Sequence, residues 1–75
     1  MQKHDLIHEF PEHKEKIHDL KVSNSHFRKL FDLYHEVDHE IHHYESGAEA
    51  TTDAHLTELR AKRLHLKDEL YTYLS

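Results

Sequence analysis

The chain has no cysteine, and only one glycine and one proline, in 75 residues. Without cysteine there are no disulfides, no thiolate metal ligands and no thiol redox chemistry. A single glycine and a single proline leave little material for turns, which favours long helices over a sheet with many reversals. No apolar run approaches the roughly 20 residues that span a bilayer. The opening MQKHDLIHEF lacks the charged-then-apolar layout of a secretory leader, so the expected location is cytoplasmic, with no membrane contact. Positive charge is also short. Ten Lys and Arg face 15 Asp and Glu, for a net charge of −5 with histidine neutral. That balance argues against nonspecific binding to nucleic acid.

What the chain does have is charge and histidine. Charged residues make up 33% of it, and there are 11 histidines, spread from His4 to His65 rather than gathered in a tag. A chain this short forms one domain at most, expected to span 1–75. It buries a smaller share of its surface than a larger domain, so its stability is expected to be marginal without a partner.

Periodicity gives the architecture. Asn24 has the side-chain oxygen of an N-cap. After it Phe27, Leu30, Tyr34, Val37, Ile41 and Tyr44 recur at spacings of 3, 4, 3, 4 and 3, an a/d heptad seam. Ser46-Gly47 ends this helix, with Gly47 able to adopt the left-handed conformation past the last turn. A polar loop over 46–52 leads to Thr52 or Asp53 as the next helix start. Leu56, Leu59, Arg63, Leu66, Leu70 and Tyr73 then repeat the same spacing. Folding the chain back at residue 50 pairs 44 with 56, 41 with 59, 37 with 63, 34 with 66, 30 with 70 and 27 with 73. The fold class is therefore all-α: an antiparallel hairpin of helices 24–45 and 53–74.

Charges agree with this register. Asp38 and Glu45 at e positions, with Glu40 at g, face Arg60 and Lys67 at e and Lys62 at g. Such exposed pairs contribute at most about 1 kcal/mol each and select register more than they hold the fold. Arg63 interrupts the apolar seam, and its head is expected to reach Asp38 while its stem packs. Upstream, Pro11 fits the first turn of a helix ending near Leu20 or Val22, with Phe10 before it. Leu6, Ile7 and Phe10 form a short apolar stripe, and Ile17 and Leu20 another. One or two short helices over 1–23 are expected to pack on the hairpin.

The blocks EFPEH (9–13), IHDLK (17–21), HFRKLFDLYHEVDHEI (26–41) and KRLHLKDEL (62–70), in this order and spacing, resemble the small bacterial YdcH-like family of helical or coiled-coil proteins, a domain of unknown function. The resemblance covers nearly the whole chain. It implies a bacterial cytoplasmic helical hairpin with no cofactor and no assigned site. The many histidines exceed the family pattern.

Four chemistries could be carried by the residues themselves. His35 to His39, HEVDH, matches H-E-x-x-H, which in zinc peptidases puts two imidazoles on one helix face with a glutamate as base. Here His35, Glu36 and His39 fall at b, c and f, on an outward, solvated face, and a hairpin offers no cleft for a third ligand or substrate. No catalytic residue and no cofactor are expected. Noncatalytic metal binding is the alternative: His35, His39 and His43 stand at i,i+4 spacing on an arc that also holds His42 and Asp32. Proton response is the companion alternative, because histidine titrates near pH 6.5. Arg60, Lys62, Arg63 and Lys67 could serve a nucleic acid but are needed opposite the acidic helix.

The apolar residues left over by the seam carry more information. Phe31 and Leu33 flank the first seam on opposite sides, and Leu64 and Tyr71, seven apart, make a stripe beside the second. A two-helix seam needs only a and d positions, so these four widen the apolar arc. Docked N-terminal helices are expected to cover part of it, and a second copy or an unidentified protein partner the rest. The function read from the sequence is a noncatalytic protein–protein interaction module acting through Phe31, Leu33, Leu64 and Tyr71.

Overall fold

In a computed structural model, which describes residues 6–75, the chain forms four helices. Helix α1 is Leu6–Glu9, a 3-10 turn covers Pro11–His13, and α2 is Lys14–Ser23. Helices α3, Ser25–Glu45, and α4, Asp53–Leu74, make the hairpin. Residues 1–5 of the expected N-terminal segment lie outside the described residues.

Each boundary has a local cause. Pro11 opens the 3-10 turn, and Phe10 before it leaves the helical region, as the residue preceding a proline must. Asn24 separates α2 from α3 by itself. Its backbone is extended (φ −129°, ψ 106°), its N–H still donates to the Leu20 carbonyl at 2.9 Å, and its Oδ1 accepts from the Phe27 N–H at 3.0 Å. One residue thus ends a helix, turns the chain and caps the next helix. At the far end Gly47 has φ +82°, and its N–H donates to the Tyr44 carbonyl at 3.1 Å. Thr52 Oγ1 then accepts from the His55 N–H at 3.1 Å, which fixes Thr52 as the N-cap of α4.

The six-layer seam is present. Phe27, Leu30, Tyr34, Val37 and Ile41 of α3 and Leu59, Leu66 and Leu70 of α4 are buried in one cluster, with Tyr44, Leu56 and Tyr73 partly buried against it. The Phe27 and Tyr73 rings meet edge-on at 5.5 Å, closing the open end of the hairpin. Leu74, one residue beyond the last expected layer, is also buried. The N-terminal helices explain it: Leu6 and Ile17 are fully buried in the same cluster, and Lys16 Nζ donates to the Leu74 carbonyl at 3.3 Å. Burying each of those two side chains contributes about 1.5–3 kcal/mol. The molecule measures 38 × 22 × 18 Å, the length of a 22-residue helix with its turn.

Candidate interaction surface

The flanks of the seam differ once the N-terminal helices are in place. At the open end α1, the turn and α2 lie across the side carrying Phe31, His35, Lys67 and Tyr71. Phe31 stacks near the His35 ring at 4.3 Å and lies under Lys21 Nζ at 4.4 Å, a cation–π contact. Tyr71 meets the Phe10 ring at 5.0 Å and His13 at 6.3 Å. Leu33, on the opposite flank by register, is partly buried against the core. Leu64 is 55% exposed and Tyr71 43%. The four expected residues therefore do not make one open patch: Phe31 and Tyr71 share the side the N-terminal helices cross, and Leu64 is the most open of the four.

Beside Leu64 is a depression of about 180 Å³ lined by Glu9, Tyr34, Arg60, Arg63, Leu64 and Lys67. Three cations converge on it, and each has a carboxylate nearby. Arg63 donates to Asp38 Oδ1 at 2.8 Å, as the sequence leads one to expect, and His42 Nε2 stands 3.6 Å from the same oxygen. Arg60 donates to Glu45 Oε2 at 2.7 Å. That hydrogen bond holds the Glu45 carboxyl below its usual range; burial opposes it, and the charges of Arg60, Arg63 and His42 add to the lowering.

One expected charge pair is replaced. Arg63 holds the buried Asp38 carboxylate as expected, and Lys67, on the same flank, lies 3.9 Å from Glu9 of α1. Glu40, assigned to Lys62, has His55 at 4.0 Å. Asp38 itself is buried rather than an exposed partner.

His35 departs most from its outward, solvated assignment. It is half-buried, because α1 crosses the face that the heptad pattern leaves open. Its Nδ1 lies 2.9 Å from the Phe31 carbonyl, and its Nε2 accepts from the Leu6 N–H at 3.4 Å. Both contacts hold only for the neutral ring protonated at Nδ1. His39 is exposed, and His43 Nε2 lies 3.1 Å from Glu49 Oε1, so the three histidines of the metal alternative are each placed differently. Among the described residues no three His, Cys, Asp or Glu side chains gather to hold a metal ion, and every buried side-chain nitrogen or oxygen has a partner. No helix among them is long and apolar enough to cross a membrane.

Known proteins share the hairpin and part of the N-terminal segment with this chain. A family described as "Protein of unknown function (DUF465)" matches residues 27–74. The chain belongs to this family. The DUF465 match starts at the first seam residue and ends at Leu74, so it covers the two long helices and their loop. The "Uncharacterized protein YdcH" of Escherichia coli (strain K12) is 35% identical over 65 residues, 87% of this chain and 88% of the relative. The protein of the same name from Shigella flexneri matches to the same extent. No solved structure gives a significant match. That Glu9 meets Lys67 and His35 meets Leu6 across α1 and the hairpin is not written in the helical pattern, since nothing in it says where α1 crosses.

Proposed function

We propose that this chain is a noncatalytic protein-interaction module whose contact surface is the α4 flank carrying Leu64 and Tyr71. The observation that supports it most directly is the 55% exposure of Leu64, which persists after the chain's own N-terminal helices have covered the neighbouring side. An aliphatic side chain left in water forfeits about 1.5–3 kcal/mol that burial would contribute, and here it lines a depression. A cytoplasmic setting and a single domain over 1–75 belong to the same proposal.

Leu64→Glu and Tyr71→Ser test it, with Val22→Ser as the control, because Val22 is 79% exposed on α2, outside the proposed surface. The expected outcome is loss of self-association or of captured protein for the first two variants and no change for the third, read by solution mass and affinity capture. Equal behaviour of all three would remove the reading.

A further inference from the structure

The depression beside Leu64 has a chemical character that narrows what can occupy it. Its floor includes Tyr34, 1% exposed, its rim is Leu64, and its walls are Arg60, Arg63 and Lys67 with Glu9. At about 180 Å³ it is of the size of a cavity that holds benzene, roughly 150 Å³, and so takes one branched or aromatic side chain. The cations around it are not equally committed. Arg63 is tied to the buried Asp38, but the Arg60 side chain is 49% exposed and its guanidinium has five N–H donors. The Lys67 amine holds Glu9 only at 3.9 Å.

We propose that this site takes an amphipathic helical segment of an acidic partner protein, seating one apolar side chain against Leu64 and Tyr34 with carboxylates beside Arg60 and Lys67. Charge complementarity selects this occupant. The half-exposed Arg60 and the loosely held Lys67 suit carboxylates, and a nucleic acid brings phosphates without the apolar side chain that the depression accommodates. The inference rests on the α4 flank being the contact surface.

The test uses the full chain and two designed helical peptides with the same leucine stripe, one flanked by glutamates and one by lysines, plus an oligothymidylate. The glutamate peptide should bind at least about tenfold more tightly than the lysine peptide. Leu64→Glu should abolish binding, as loss of a central apolar anchor does. The double substitution Arg60→Gln/Lys67→Gln should weaken binding about five- to tenfold and flatten its salt dependence, a change that a merely structural role for the two cations would not produce. Circular dichroism of each variant verifies the fold. Equal affinity for both peptides, no glutamate-peptide binding at about millimolar concentration, or stronger binding of the oligothymidylate that depends on Arg60 and Lys67 would each overturn the proposal. If Leu64→Glu dissolves a homodimer while neither peptide binds, the acidic partner is wrong and the interaction flank stands. If nothing depends on Leu64, both fall.

Discussion

Arg63 is the residue whose replacement should reveal most about how the hairpin is held. It occupies a seam position between apolar layers, and its guanidinium donates to Asp38 at 2.8 Å with the two side chains only 20% and 11% exposed. Replacing one member of a fully buried pair costs about 3–5 kcal/mol because a charge is left without its partner. This pair lies at the edge of the seam and Asp38 keeps His42 at 3.6 Å, so Arg63→Met should cost about 2–3 kcal/mol. Asp38→Leu should cost less, about 1–2 kcal/mol, because a long arginine stem can carry its freed head to water. The double substitution fills the layer with apolar volume and should return to within about 1 kcal/mol of the parent, since an apolar pair of similar size replaces a buried ion pair without loss. Urea melts at neutral pH give the cycle, with a non-additivity of about 2 kcal/mol or more. Additive effects, or an Arg63→Met cost below about 0.5 kcal/mol, the scale of a surface substitution, would mean that Asp38 is solvated and the polar layer does not hold the register.

Other predictions are more local. Glu45, lowered by its hydrogen bond from Arg60, contributes stability that is present above its unfolded value near 4.5 and is lost as pH falls through its lower folded value. Arg60→Gln should return the carboxyl to its ordinary range in an NMR titration, and an unchanged titration would remove Arg60 as the cause. Asn24→Ala should cost about 1 kcal/mol in a urea melt, with Asn24→Asp nearly neutral, because the cap at Phe27 needs only a side-chain oxygen.

The hairpin was legible because its determinants are close in sequence. Apolar spacing, one asparagine cap, one left-handed glycine and one threonine cap set α3 and α4 to within a residue, and pairing about residue 50 set their register. The N-terminal helices were legible only as helices. Where they lie depends on Leu6, Ile17 and Phe10 finding gaps on a surface assembled from two distant segments, and a four-residue helix has no periodicity from which to read a face. The departures at His35 and Lys67 trace to that docking. His35 is covered because Leu6 arrives over it, and Leu74 is buried in the same cluster as Ile17, with Lys16 at its carbonyl. Lys67 has Glu9 of the docked α1 beside it. The candidate surface was half legible for the same reason: all four extra apolar residues could be named, but not which ones the chain would cover itself.

Leu64 and Tyr71 look equivalent in the sequence and are not equivalent in the fold, and that difference decides which is the cleaner probe of function. Tyr71 has the Phe10 ring at 5.0 Å, so any substitution there loosens the N-terminal cover as well as the contact surface, and a binding defect has two explanations. Leu64 is 55% exposed, so replacing it by a charged residue should leave stability within about 0.5 kcal/mol of the parent, the usual range for a surface position. An aliphatic residue whose removal does not weaken the fold is not kept there by the fold's own energetics. If Leu64→Glu left both stability and every association unchanged, the exposed leucine would be an ordinary surface residue. Unchanged stability with lost association is the outcome that assigns its burial to another molecule.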